Sequence, residues 1–374
     1  MEKSDYIQTK SELHTHLMGM LSANEFMQLL GDYTDLIYWP FNKAENDNSK
    51  YLPIEKVKDK KTAIRAISIP YGKRRNYKAG LDSMYRNRAE LISYVIKQYS
   101  INKNIDETTA KYIIYSDYYN RALKELIEFG IEYAEISFSN EDIIEHLMVD
   151  EDLNNQIKYS FLLATQRTNK ITQGTIDSIK RAYENNVAVG FDLMGFETPL
   201  DDAELRKIGR KSYYKKLDLI LKELMKHPNS VLRIHSGENK QSKGNSEKIF
   251  RIIDEIKLDN GYNDFPPPEL RIGHGVYYEK NNYYYDFLKR NHAIIEINST
   301  SNVALSNIEN MDDLPYFDYL KHDIPIVLST DGHGVYDTSI PFEDATAFYS
   351  FINEPEGYDQ IVDWEESYID KKVK

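Results

Sequence analysis

Residues 231–238 read VLRIHSGE: a short apolar run closes on a histidine, and a glycine and a glutamate follow. Three other stretches finish in the same manner. Ser11–His14 ends on His14, with His16 two residues on; Leu270–Gly273 runs into His274; Ile324–Ser329 is followed by Thr330 and Asp331. Each run has the length and composition of a β-strand. A parallel sheet carries the ends of such strands on one face, so the four motifs bring His14, His16, His235, His274 and Asp331 together. His14 and His16 are i and i+2, and on an extended chain both point the same way.

Four more strands complete the series: Tyr133–Phe138 (YAEISF), Phe161–Thr165, Val187–Met194 and Ala293–Ile297 (AIIEI). Between them, Asp117–Phe129, Thr175–Asn185, Tyr213–Met225, Ser246–Ile256 and Tyr283–Lys289 show apolar residues at helical spacing. Ser22 and Glu25 form a capping-box pattern ahead of ANEFMQLL. Strand–helix alternation with eight strands predicts an α/β fold of the (β/α)8 TIM-barrel type, residues 1–374 forming one domain. Gly31 to Asp106 exceeds what a minimal barrel needs. It reads as a helical insertion after the first strand, forming part of the active-site rim, and includes Trp39, Pro40 and a polar loop at Asn46–Lys50.

Composition narrows the chemistry. The absence of cysteine excludes disulfides, thiolate catalysis and cysteine-ligated zinc, so a metal must be held by histidine and carboxylate. Net charge of −13 argues against nucleic acid as a partner. No apolar run approaches the ~20 residues of a membrane span, and the polar N-terminus lacks a signal-peptide core; a cytoplasmic enzyme is the expectation. Charge is uneven. Glu55 to Arg88 holds eleven Lys/Arg against three Asp/Glu, a local excess of +8, which leaves −21 on the rest. Such a run is either a solvated helical surface or a phosphate-binding region.

Zinc accepts histidine nitrogen and carboxylate oxygen, and a catalytic site leaves a position for water, which the metal acidifies. A nearby acid must then protonate the substrate so that nitrogen can leave, and Glu238, three residues past His235, suits that task. A surface carboxylate is the alternative reading of Glu238. His146, His227, His292 and His322 read as surface or packing residues, whereas His333, two residues after Asp331, is expected near the site.

Taken in order, ELHTHLMG, RIHSGE, RIGHG and LSTDG resemble the adenosine and AMP deaminase family of the amidohydrolase superfamily. EYAEISFS, VAVGFDLMGFE and EINSTSN resemble that family's second, fourth and seventh strands, so the likeness runs from Ser11 to about Gly334 and leaves the basic insertion poorly matched. The resemblance implies one Zn2+ per chain on His14, His16, His235 and Asp331. It implies that Glu238 shares a proton with purine N1, that His274 orients or deprotonates the attacking water, and that the Gly195 N–H faces N3. Three departures stand out. Met18 occupies the place of an Asp that contacts the ribose 5′-hydroxyl. Gly332 replaces an Asp that contacts N7, with His333 as a substitute. Phe196 stands where an acid is common. Loss of the 5′-hydroxyl contact beside a basic insertion suggests AMP or dAMP ahead of adenosine or deoxyadenosine, with Lys73, Arg74, Arg75 or Lys78 on the phosphate. The 30 tyrosines and the insertion resemble divergent deaminases of bacterial anti-phage defence. Two other readings remain: an amidohydrolase acting on a different ring, a cyclic amide or a phosphoester, where Asp192 or Glu197 near the fourth strand could serve a second metal; or a non-catalytic nucleotide sensor. A purine substrate is the expected partner, and a homo-oligomer is open.

Overall fold

The computed structural model describes residues 9–34, 60–201, 212–227, 229–262, 268–351 and 355–373. Trp39, Pro40 and the polar loop at Asn46–Lys50 lie outside these. Eight strands, β1 (Ser11–His16), β2 (Tyr133–Phe138), β3 (Lys158–Gln166), β4 (Gly190–Met194), β5 (Val231–Ser236), β6 (Glu269–His274), β7 (Ile294–Ile297) and β8 (Ile326–Leu328), form one sheet in sequence order. Every neighbouring pair is parallel. A parallel bridge between Thr15 and Asp331 joins the first strand to the chain just past the last. The result is a (β/α)8 barrel, as the alternation predicted. β1 extends two residues beyond its predicted end and carries a register shift between Glu12 and Thr15; such bulges re-aim side chains beside active sites.

The helices follow the strands. Ser22 accepts from Glu25 N at the start of α1 (Ala23–Tyr33). The insertion contributes α2 (Lys60–Ile67) and the 27-residue α3 (Tyr77–Lys103). The helix predicted from Asp117 begins ten residues earlier: α4 spans Glu107–Glu128, with Asp106 as its cap. Polar residues on the first turns of α4 masked that start. α5 (Gln173–Glu184), α6 (Tyr213–Leu224), α7 (Asn245–Asp259), α8 (Asn282–Arg290), α9 (Ile340–Ser350) and α10 (Pro355–Val373) complete the outer layer. Among the described residues, no helix is long and apolar enough to cross a membrane.

Strand alternation divides the core in an unusual way. On β5, Leu232 and Ile234 join the apolar cluster shared with the helices, while Arg233 and His235 take the alternate positions. β6 repeats this with Leu270 and Ile272 against Arg271 and Gly273, and β7 with Ile295 and Ile297 against Glu296. Apolar burial between sheet and helices supplies the driving force. The barrel interior is charged: Arg233, Arg271, Glu296, Glu135 and Asp192 are all fully buried.

Arg88 is one side chain that ties α3 to the barrel mouth. Arg88, fully buried, donates to Ile67 O (2.9 Å), Leu21 O (2.7 Å), Met18 O (3.3 Å) and Gly334 O (3.0 Å). It lies 4.9 Å from the Phe26 ring centre. Part of the basic run is therefore a structural clamp across the β1 and β8 loops. Replacing Arg88 with Met would orphan these carbonyls at a cost of about 3 kcal/mol or more, and Lys would not restore the planar fork. Urea denaturation should show midpoints lowered in both variants; an unchanged midpoint for Arg88→Met would contradict the clamp.

Candidate active site

The strand ends converge as the motifs predicted. His14 and His235 ring centres are 4.6 Å apart, His16 and His235 5.2 Å, and His274 lies 5.3 Å from both His14 and His235. Asp331 Oδ1 is 3.3 Å from His16 Nε2 and 3.7 Å from His14 Nε2. His14/His16/Asp331 and His14/His235/His274 each gather ligand-type atoms within 4.8 Å, and so does His16/Asp192/His235. His14 Nε2, His235 Nε2, Asp192 Oδ1 and Asp331 Oδ2 are buried with no hydrogen-bond partner. Orphaned polar atoms of this kind are expensive, and a cation among them would satisfy them. An all-imidazole and carboxylate donor set suits zinc.

Supporting residues orient the donors. Glu296 Oε2 sits 2.8 Å from His14 Nδ1, which places the His14 proton there and leaves the Nε2 lone pair for the site. The Asn298 amide lies between His14 Nδ1 (3.3 Å) and His274 Nδ1 (3.4 Å). Asp192 Oδ1 is 3.3 Å from His235 Nε2, and its Oδ2 accepts from Ser137 at 2.5 Å. Burial, reinforced by Arg233, holds His14 well below the usual imidazole range. Burial, with smaller contributions from His235 and His16, lowers His274 to about 3 despite the Asp331 charge nearby. Burial would raise Asp331, but the hydrogen bond from His16 and the neighbouring histidines keep it below the ordinary carboxylate range.

Glu238 is opposite in behaviour. Burial, then the negative charge of Asp331, pushes its carboxyl well above the usual value. Its Oε1 is 3.8 Å from His274 Nε2. Its backbone is fixed by Glu197, whose carboxylate accepts from Glu238 N (2.9 Å), Gly237 N (3.2 Å), Ser242 Oγ (2.6 Å) and Asn245 Nδ2 (2.9 Å). Glu197 thus builds the loop that bears the acid.

A cavity of about 310 Å3 opens over this cluster, lined among others by His16, Met18, Gly195, Glu238, His274 and Asp331. Gly195 has φ +100°, and a Cβ there would lie 1.9 Å from Gln166 Oε1. Gly195 is among the residues that line the cavity. Other expectations are not met. His333 is buried against Phe129 with Nε2 3.0 Å from Glu125 Oε2, and it does not line the cavity. Gly332, outside the lining too, packs against Gly19. The exposed Arg74 donates to the Glu309 carbonyl, and neither it nor Arg75 lines the cavity. Local charge density pointed at these arginines, yet the chain turns at Pro70–Lys73 before α3 and carries them aside. Lys78 instead lies near the wall, its Nζ 5.3 Å from the Phe196 ring centre.

Sequence reading missed Tyr77 and Tyr85. Both come from α3, where Tyr77, Leu81, Tyr85 and Ala89 recur every four residues along one face. Leu81, Tyr85 and Ala89 line the cavity, and Tyr77 bonds Glu238. Tyr85 donates to the Asp331 carbonyl at 3.0 Å. That spacing was readable, but only as one of many helical stripes.

Fold and cavity define a barrel hydrolase with a histidine–carboxylate centre at the C-terminal face. The family model for adenosine deaminase matches residues 9–363, and the chain belongs to that family of hydrolytic deaminases. It is 22% identical over 314 residues to an adenosine deaminase of Plasmodium gallinaceum, covering 75% of this chain and 82% of that one. It is 26% identical over 285 residues to an adenosine deaminase of Clostridium botulinum strain 657, covering 69% and 76%. Among solved structures it is similar to the N6-methyl-AMP deaminase of Arabidopsis thaliana, with a TM-score of 0.61, 18% identity and 95% and 90% coverage.

Gly273 on β6 leaves room for the His14 ring. A Cβ there would stand 2.7 Å from His14 Cε1 and 3.3 Å from Nδ1. Gly273→Ala should displace His14 and weaken binding of a divalent metal by about 10–100-fold. Competition against a chelator measures this, and wild-type affinity in the variant would refute the packing argument.

Proposed function

We propose that the protein removes the 6-amino group of an adenine nucleotide or nucleoside by hydrolysis, AMP or dAMP ahead of adenosine and deoxyadenosine, with ammonia as co-product. The observation that carries this is the Glu238 carboxyl 3.8 Å from the His274 imidazole, in one cavity with a set of orphaned imidazole and carboxylate atoms. A zinc ion held by His14, His16, His235 and Asp331 would supply Lewis acidity, making a water acidic enough to attack at neutral pH. Glu238, kept protonated by burial, donates to purine N1 and makes C6 more electrophilic. His274, kept neutral by burial, accepts the proton that the attacking water loses. The Gly195 N–H holds N3 and sets the ring in place. As the C6–N bond breaks, a proton passes to the amino nitrogen and ammonia departs.

Two considerations favour a 5′-phosphate. Met18 in the cavity wall offers no hydrogen bond to a 5′-hydroxyl, and the similar Arabidopsis enzyme acts on N6-methyl-AMP. Lys78, beside Phe196, is the basic residue best set to meet that phosphate.

Ammonia release from adenosine, deoxyadenosine, AMP, dAMP and ATP should be fastest with a monophosphate. Reaction of free nucleosides alone would refute the phosphate assignment; no reaction by zinc-loaded protein would refute the reaction class. Glu238→Gln should retain zinc while turnover falls by about 10²–10⁴-fold, and an active variant would remove Glu238 from its role.

A further inference from the structure

We infer that Tyr77, from the inserted helix, fixes which oxygen of Glu238 carries the acidic proton. This rests on the role of Glu238 proposed above, and Tyr77 is a positioning residue that acts through it. The phenol oxygen of Tyr77 accepts the Glu197 backbone N–H at 3.1 Å and donates to Glu238 Oε2. Its side chain is buried, and its ring packs against Phe196 with centres 4.9 Å apart. A phenol has one hydrogen to give. With Glu197 N–H already pointing at the oxygen, that hydrogen is directed to Oε2.

Two proton placements on Glu238 are then unequal. With the proton on Oε1, Oε2 is a carbonyl oxygen that accepts from Tyr77, and the phenol keeps both of its hydrogen bonds. With the proton on Oε2, the phenol oxygen faces two donors and its own hydrogen loses this acceptor, which is costly in a buried site. The proton therefore resides on Oε1, the oxygen on the His274 side, 3.8 Å from His274 Nε2. Glu197 contributes twice, since its backbone N–H orders the phenol and its carboxylate holds Glu238 N at 2.9 Å. The insertion thereby sets the direction in which the acid delivers its proton.

Infrared difference spectroscopy tests this on the full chain. The C=O stretch of protonated Glu238 is identified by its loss in Glu238→Gln. Tyr77→Phe keeps the ring against Phe196 and removes the hydrogen bond to the carbonyl oxygen, so the band should move to higher frequency. Incorporating 3-fluorotyrosine at position 77, a stronger donor, should move it lower, and gives a second reading if the Phe variant does not fold. For the best substrate, Tyr77→Phe should lower kcat about 10–100-fold with KM little changed. A band that neither replacement moves would overturn the inference, as would an unchanged kcat. A wild-type protein that releases no ammonia would instead overturn the proposed reaction, while the band shifts still decide the proton's position.

Discussion

The carboxylate of Glu296 is the point on which the active end of the barrel depends. One oxygen meets Arg271 Nη1 at 3.0 Å; the other meets Arg233 Nε at 2.7 Å and His14 Nδ1 at 2.8 Å. All four side chains are fully buried. Burying ions carries a desolvation cost that their attraction only partly offsets, so this network is not a large source of stability. Its effect is orientation. Held from behind, His14 cannot rotate, and its Nε2 faces Asp331 and His235. The network continues downward through Arg271 to Glu135 at 3.1 Å, whose other oxygen accepts from Tyr368 at 2.7 Å. Tyr368 belongs to α10, and its ring lies 4.4 Å from the Arg271 guanidinium. The last helix thus closes the bottom of the barrel on the same charges that aim a ligand at the top.

Backbone strain marks the same region. His274 and Asp331 have φ of 69° and 64°, the left-handed region that non-glycine residues seldom occupy. Both sit where a strand stops and a loop must turn away while the side chain still faces inward. Neighbouring hydrogen bonds hold these conformations: Asp331 N donates to His14 O at 2.8 Å, and Gly275 N to Ser236 O at 3.1 Å. Such outliers persist only where surrounding structure over-determines them, and they cluster at functional sites.

The barrel and its strand-end donors were legible because a period of two and a fixed polarity leave few alternatives. A histidine closing VLRI cannot face the helices when Leu232 and Ile234 already do. Glu296 was harder to see: a lone acid inside AIIEI gives no sign that two distant arginines neutralise it. Tyr77 lies 161 residues from Glu238, and nothing local announces a contact of that range. The basic run misled for a definite reason. Arg88 is buried as a clamp, Arg74 turns to Glu309, and Lys78 reaches the wall, yet all three add equally to a charge count. His333 misled through proximity, because one residue after Gly332 the chain has begun a helical turn that directs the ring to Glu125.

One physical effect, removal from water, gives the site both its acid and its base. Burial disfavours charge, so it raises a carboxyl and lowers an imidazole. Glu238 and His274 are neighbours in one cavity, and both are left uncharged. An exposed pair at this separation would exchange a proton and become carboxylate and imidazolium. Burial of both side chains disfavours that exchange, because it would create two charges out of water. The inserted helix is part of this exclusion, since Leu81, Tyr85 and Ala89 form one wall. The barrel supplies the strand-end histidines and carboxylates and the insertion supplies one wall of the cavity above them, so the least family-like segment is joined to the most family-like residues by contact.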